Sequence, residues 1–383
     1  MAIFRLGFAL AGILLGIYVY CYLKRVMKFY GFGRKKIVLW ILTAALTVAI
    51  VLGCRNLWSF RAVVILHMVV IAVFLDLAAA IGRCFLGKWK ESTAGKACRK
   101  LYGCGLLPVL MTGAVLSYGY FNMQHAVKTE YELATEKGIG SYRIVLLTDI
   151  HYGTIQSTNV LKDKVAEISG QRPDIVVLGG DIVEEGTSRE RMQEVFRVLG
   201  GIEARYGIYY VFGNHDRQPY TRSRSYTNAE LEAAIRENGI RILEDEYVEI
   251  NDELILAGRG DAAWGNISGR ASVEELLGGA DTDKYIIVAD HQPIEAEENS
   301  AQGVDLLISG HTHAGQVWPV GNLSELTGIL NYGEYDVGSC KVVVSSGFTG
   351  WGYPVRTEEH CEYVLINIAG GDDFQSGAEG ESG

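Results

Sequence analysis

Four stretches of this 383-residue chain, 6–23, 37–54, 62–82 and 101–123, are apolar enough and long enough to cross a bilayer, and they constrain its fold more than any other feature. Crossing the roughly 30 Å hydrocarbon layer takes about 17 to 25 helical residues. Three of the stretches hold no Asp, Glu, Lys or Arg, and the third holds only Asp76. A helix packed in a soluble core would show a polar stripe every 3.6 residues, and these do not, so they read as four transmembrane helices. The first is expected to remain as an anchor. Bulky Tyr18, Tyr20 and Tyr22 followed by Lys24 and Arg25 stand where cleavage of a leader would need small residues.

Charge divides the chain at the same place. Residues 1–123 carry 15 Lys/Arg against two acids, leaving 20 basic and 43 acidic residues in the remainder, a net −23. So acidic a region lacks the basic excess that a phosphate backbone demands, which argues against nucleic acid as a partner. Lys and Arg near span ends stay on the cytoplasmic side. Twelve of the fifteen lie in the first and third loops, Lys24 to Lys36 and Arg83 to Lys100. Both loops are therefore expected inside, which places the acidic region on the extracytoplasmic face of the cell membrane. His67 and Asp76 fall within the third span, where ionisable groups suggest an ion path. Nine residues apart, they sit on opposite helix faces, and Asp76 is near enough to the inner boundary to reach Arg83 or water, so transport is the weaker reading.

Residues 124–141 are expected to form a linker. From Tyr142 the pattern becomes short β-branched runs alternating with amphipathic, charged stretches. Strands are predicted at 143–148, 175–178, 207–212, 285–289, 306–309, 342–345 and 363–366, and helices at 159–169, 189–199 and 228–238. This alternation implies an α/β core with ligands at the carboxyl ends of strands. The acidic, Gly- and Ser-rich tail 369–383 is expected to be disordered.

The residues just beyond the strands carry the chemistry. Thr148-Asp149-Ile150-His151 ends the first, Gly179-Gly180-Asp181 the second and Gly213-Asn214-His215-Asp216 the third; Asp290-His291-Gln292 and Gly310-His311-Thr312-His313 come later. Singly, Asp149 could be a helix cap, Asp181 a turn acid and His291 a surface histidine. Jointly they are harder to dismiss, because five of the protein's eight histidines fall in these strand-end motifs. Carboxylates, imidazoles and an amide form the mixed O and N donor set that hard or borderline divalent cations prefer.

The order DxH, GD, GNHD, H and GHTH resembles the calcineurin-like metallophosphoesterase superfamily over roughly residues 142–368. Ser346-Gly347-Phe348 and Pro354-Val355-Arg356 further resemble its membrane-anchored bacterial branch. The resemblance implies an α/β fold in which the four-helix transmembrane region is followed by a two-sheet β-sandwich flanked by helices, with two divalent ions such as Mn, Fe or Zn at one edge. Carried over, Asp149, His151 and His313 would hold the first metal and Asn214, His291 and His311 the second. Asp181 would bridge both, and the catalytic residues would be His215 as the general acid and Asp216, the acid beside it. A bridging carboxylate can hold two cations about 3.5 to 4 Å apart, where they activate a shared water and clamp both oxygens of an in-line displacement. The implied substrate is a phosphomonoester or phosphodiester, and tethering to the lipid bilayer suggests one from a lipid headgroup, an envelope polymer or a small exported ester.

Several residues have two readings. Arg356 could orient a phosphate or form a structural salt bridge. Asp261 reads as a turn residue, Phe348 and Trp351-Gly352 as bulky residues that would alter the pocket's rim, whereas Tyr220, Tyr226, Trp264 and Trp351 could line the cleft or pack in the core. Cys340 and Cys361 could form one bridge, but no disulfide framework is present. Two rival functions are a non-enzymatic metal-dependent binding or regulatory protein, weakened by the complete ligand set with His215 present, and a transporter resting on Asp76 and His67 alone.

Overall fold

The computed structural model describes residues 2–56, 59–85, 92–153, 158–262 and 269–370, with the side chains of 2–9 and 83–85 left aside. The chain divides into two compact units at Tyr118 and Gly119. The first is helical: α1 (Ala2–Phe29), α2 (Lys36–Gly53), α3 (Phe60–Phe85), α4 (Thr93–Gly103) and the beginning of α5 (Leu106–Met123). Four helices are long and apolar enough to cross a membrane, over Leu10–Phe29, Lys36–Gly53, Phe60–Gly82 and Leu106–Met123. Their apolar side chains face outward, with Leu14, Trp40 and Leu77 each more than half exposed, the reverse of a soluble helix.

The fourth span is shorter than the expected 101–123. Residues 101–103 belong to α4, and the chain breaks at Gly105, whose φ of 74° is left-handed and favours glycine. Pro108 then sits in the first turn of α5, where its missing N–H has no intrahelical partner to lose. Asp76 reaches across the helices to Arg25 Nη1 at 2.7 Å, and accepts from Tyr18 at 3.0 Å and from Tyr102. Its expected partner was Arg83, whose side chain lies outside the described residues. His67 Nδ1 lies 2.8 Å from the Val63 carbonyl within its own helix.

The second unit is a sandwich of two six-stranded sheets. One has the order β1 (Ala126–Thr135), β12 (Cys361–Gly370), β2 (Tyr142–Leu147), β3 (Ile175–Leu178), β4 (Ile208–Tyr210) and β5 (Ile240–Ile242). The other has the order β10 (Gly333–Val337), β11 (Cys340–Val344), β9 (Leu306–Ser309), β8 (Tyr285–Ala289), β7 (Leu254–Gly258) and β6 (Glu246–Glu249). Strands β2 to β5 run parallel in the first sheet, as do β7, β8, β9 and β11 in the second.

The burial of alternate residues builds four layers. Ile144 and Leu146 of β2 meet Leu256, Ile287 and Ile308 between the sheets. Val145 and Leu147 face the opposite way, with Leu161 and Ile168 of α6 (Thr158–Gly170), Phe196 of α7 (Arg189–Leu199) and Ile235 of α8 (Asn228–Glu237). On the far side, Ile286 and Val288 of β8 pack with Val273 of α9 (Val273–Leu276) and Ala296 of α10 (Ala296–Ala301). Strands covered on both faces read as continuous apolar runs rather than alternating ones, which is why their positions stood out in the sequence.

The expected linker is mostly strand. Residues 126–135 form β1, which pairs with β12 in parallel over ten residues. It is an edge strand with a largely exposed or half-buried, charged face, so hydrophobic periodicity hides it. Strands β5, β6, β7 and β10 are likewise additions to those expected from the sequence. Of the expected tail, residues 369 and 370 belong to β12, and 371–383 lie outside the described residues.

Candidate metal centre

All five sequence motifs meet at the carboxyl ends of the parallel strands: Asp149 and His151 follow β2, Asp181 follows β3, Asn214 to Asp216 follow β4, His291 follows β8, and His311 and His313 follow β9. The backbone there is held in unusual conformations. Asp149, His151, Asp181, His311 and His313 have φ between 44° and 69°, a region that non-glycine residues enter at a cost and that clusters at functional sites. Tight backbone bonds impose it: the Asp149 N–H donates to the Gly180 carbonyl and the His151 N–H to that of Asp181, both at 3.0 Å. Gly213 lets two of these loops touch, since a Cβ there would lie 2.3 Å from Asp181 Oδ1.

The donors fall into two groups, Asp149 with His151 and His313, and Asp181 with His291 and His311; within each, donor atoms lie within 4.8 Å of one another. In the first, His151 Nε2 is 3.3 Å from His313 Nε2, and Asp149 Oδ1 is 3.5 Å from His313 Nε2. Asp181 Oδ2 stands between the groups, 3.2 Å from His291 Nε2 and 4.0 Å from His151 Nε2. Asp149 Oδ1, Asn214 Oδ1 and His291 Nε2 are buried without a hydrogen-bond partner, although buried polar atoms are nearly always paired. Buried orphaned atoms of the right kinds, one in each donor group and one on Asn214 beside His215, fit cation sites.

The remaining ring nitrogens are oriented from behind. His291 Nδ1 lies 2.8 Å from the Gly179 carbonyl and His313 Nδ1 3.1 Å from that of Thr349, so each Nδ1 carries a proton and each Nε2 is turned inward; burial would lower the proton affinity of His291, but the Asp181 carboxylate outweighs burial and holds that affinity well above its ordinary value. Burial holds the His311 imidazolium down, to a pKa of about 4, with the neighbouring His291 adding to the effect. His313 is pushed well below its ordinary value by burial and by His151. Neutral imidazoles are what a metal requires. Burial alone would raise the Asp181 carboxyl, but the adjoining His291, His151 and His215 outweigh it and keep the group ionised.

His215 lies outside both donor groups. Its backbone N–H donates to Asp181 Oδ1 at 2.8 Å, while its Nδ1 is 2.7 Å from Glu185 Oε2. Burial lowers its proton affinity, but Glu185, helped by Asp181, wins and leaves the net shift upward. The ring edge is bordered by Trp351 and Tyr220, at centroid distances of 5.2 and 5.1 Å. Asp216 is placed differently from the sequence expectation of a catalytic acid. It is fully buried and accepts backbone N–H bonds from Asp181, Ile182, Val183 and Gly213 at 2.6 to 3.2 Å, which makes it a positioning residue that clamps the β3 and β4 loops together.

Residues 142–315 match the family model described as calcineurin-like phosphoesterase. The chain carries a calcineurin-like phosphoesterase domain. Similar curated proteins are an uncharacterized metallophosphoesterase of Campylobacter jejuni, 30% identical over 66% of this chain and 66% of its own length, and a transmembrane protein with metallophosphoesterase domain of Danio rerio, 30% identical over 68% of this chain and 62% of its own. An uncharacterized metallophosphoesterase of Bacillus subtilis is 24% identical over 71% of this chain and 98% of its own length. The chain thus spans about two thirds or less of the first two relatives.

Within the phosphoesterase domain, two acids carried no signal in the sequence: Glu185, and Glu184, whose Oε2 lies 3.3 Å from His151 Nδ1. Arg356 fits neither of its expected roles. It is fully buried and donates to the carbonyls of His313, Ser346 and Thr349 at 2.8 to 2.9 Å, stiffening the ligand loops from behind. Tyr226 and Phe348 are core residues, Tyr226 donating to the Asp216 carbonyl at 3.0 Å. Asp261 accepts from Gln292 at 3.1 Å, and Trp264 lies outside the described residues. Cys340 and Cys361 are separate buried thiols.

Proposed function

We propose that the protein is a membrane-anchored hydrolase of phosphate esters, acting at the extracytoplasmic face with two divalent ions. One observation carries the reading: Asp181, a member of one donor group, stands 4.0 Å from His151 of the other, and an acid-paired imidazole, His215, stands close by. Asp149, His151 and His313 would hold one ion and Asn214, His291 and His311 the other, with Asp181 between them. When bound, such ions supply the charge that acidifies a water and screens the phosphate oxygens.

The chain's own groups do the rest. Glu185 fixes the His215 ring through Nδ1, so the opposite nitrogen is free to donate a proton to the departing alkoxide, a contribution of about 10² to 10⁴ in rate. Trp351 and Tyr220 border that ring and limit water around it. The net −23 of the region repels polyanions, which favours small or membrane-borne esters.

The test is to assay the purified full chain, in detergent, on generic aryl phosphomonoesters and phosphodiesters with Mn, Zn, Fe or Ni. Metal-dependent turnover that disappears in Asp181→Asn is expected. No turnover with any of these metals would sink the hydrolytic reading.

A further inference from the structure

Exposed large apolar side chains are rare in the described part of the second unit, and they are not scattered. Nine are exposed; Tyr120, Phe121 and Val127 mark where the chain leaves α5, and Trp318, Val320, Leu323, Leu326 and Ile329 lie on one excursion, residues 316–331, that includes α11 (Val320–Glu325). Tyr220, at the site, is the ninth. Leu326 is 83% exposed and Leu323 56%. This excursion carries a single charge, Glu325, in a unit otherwise rich in acids. An apolar run of this kind is not solvated for its own sake; it marks a contact surface.

Its footing says what it contacts. The excursion leaves from the ligand His313 and returns beside it, where Thr312 Oγ1 donates to the Asn331 carbonyl at 2.5 Å. Its base is tied to the segment 351–358: Glu358 accepts from the N–H groups of Gly321 at 2.7 Å and Asn322 at 3.1 Å, and Gln316 donates to the carbonyls of Trp351, Tyr353 and Val355. That segment is bonded in turn to the last turn of α5. The Arg356 N–H donates to the Gly119 carbonyl at 2.9 Å, and Asn122 Nδ2 donates to the carbonyls of Arg356 at 3.2 Å and Glu359 at 2.6 Å. Residues 119–122 belong to this unit and end α5, a helix long and apolar enough to span, so the excursion is fastened to the end of a candidate span.

We infer that residues 318–329 form a second membrane contact, an apolar foot that enters the lipid–water interface beside the metal ligands. An amphipathic segment with a tryptophan at the boundary suits that depth. Resting on the hydrolytic reading above, the inference names the substrate class: a phosphate ester on an amphiphile that stays in the bilayer, its phosphate delivered at the height of His313.

The contact is tested in the full chain reconstituted in phosphatidylcholine and phosphatidylglycerol vesicles, with Leu326 replaced by p-benzoylphenylalanine. After irradiation, mass spectrometry of the labelled peptide should show phospholipid adducts. The same replacement at Asp336, whose side chain is 75% exposed, should show none. A covalent dimer of the chain, or an unmodified residue 326, would overturn the inference, and neither readout needs turnover. For the substrate class, Leu323→Asp combined with Leu326→Asp should lower the ratio of turnover on a vesicle-borne phosphate ester to turnover on a soluble aryl phosphate by about tenfold or more. An unchanged ratio would reject that class. Adducts without any turnover would reject hydrolysis while leaving the lipid contact in place.

Discussion

Glu185 offers the sharpest perturbation, because the imidazole it pairs with is that of His215. Glu185→Gln keeps the length and a hydrogen-bonding oxygen but deletes the charge facing Nδ1 at 2.7 Å. Both side chains are largely buried, at 22% and 13% exposure, so water screens the pair only in part. A hydrogen bond to a charged partner contributes about 1.5 to 3 kcal/mol, and each 1.36 kcal/mol is one unit of proton affinity or a factor of ten in rate. The neutral variant should therefore lose roughly 10- to 100-fold in kcat/KM on an alkyl phosphate. Burial already lowers the His215 proton affinity, and without Glu185 its opposition is reduced to Asp181 and Glu184. The protonated form then disappears at lower pH, and the alkaline limb of the rate profile should move to the acid side. An aryl phosphate, whose leaving group departs unaided, should lose much less. Metal content stays at the wild-type level, since Glu185 is in neither donor group. Equal losses on both leaving groups, or loss of metal, would show that Glu185 does not work through a proton on His215.

Asp216→Ala should cost about 3 to 5 kcal/mol, because it strands buried N–H donors of Asp181, Ile182, Val183 and Gly213, and thermal melting should show Asp216→Asn, which retains one acceptor oxygen, falling less. Glu362 predicts an acid limit to stability. Burial would raise its carboxyl, but bonds from His360, Thr129 and the Ser346 N–H prevail and hold it below the usual range. Its contribution is thus full above the unfolded value of about 4.3 and lost as pH falls through the folded one, so melting temperature should drop there, and less steeply in Glu362→Gln. Finally, a topology reporter fused after residue 123 should behave as exported, because twelve basic residues hold the first and third loops inside; cytoplasmic activity would reverse the orientation.

The candidate ligands are legible because they sit at a fixed place in the architecture. Strands buried on both faces announce themselves as apolar runs, and the residues just beyond them, Asp149, Asp181, Asn214 and His291, are found by looking there. Glu184 and Glu185 have no such marker, being two acids among 43 in the acidic region, in a turn with no periodicity to flag them. Arg356 misleads because a lone arginine near a phosphate site invites a ligand role; only its three carbonyl partners show that it braces the loops. The edge strand β1 stays hidden for the reason edge strands usually do: one side is unpaired, and its exposed charges look like a linker. Even the end of α4 turns on one residue, Gly105, whose left-handed backbone a hydropathy window averages away.

Whether Asp181 joins two metal sites into one centre is tested most directly by elemental analysis of the full chain, purified in detergent, comparing the wild type with Asp181→Asn and Asn214→Ala. A shared carboxylate predicts two divalent ions per wild-type chain, weakened binding at both sites in Asp181→Asn, and loss of a single ion, restored by excess metal, in Asn214→Ala. One ion or none in the wild type, or an Asp181→Asn variant that loses only one, would contradict a joined centre.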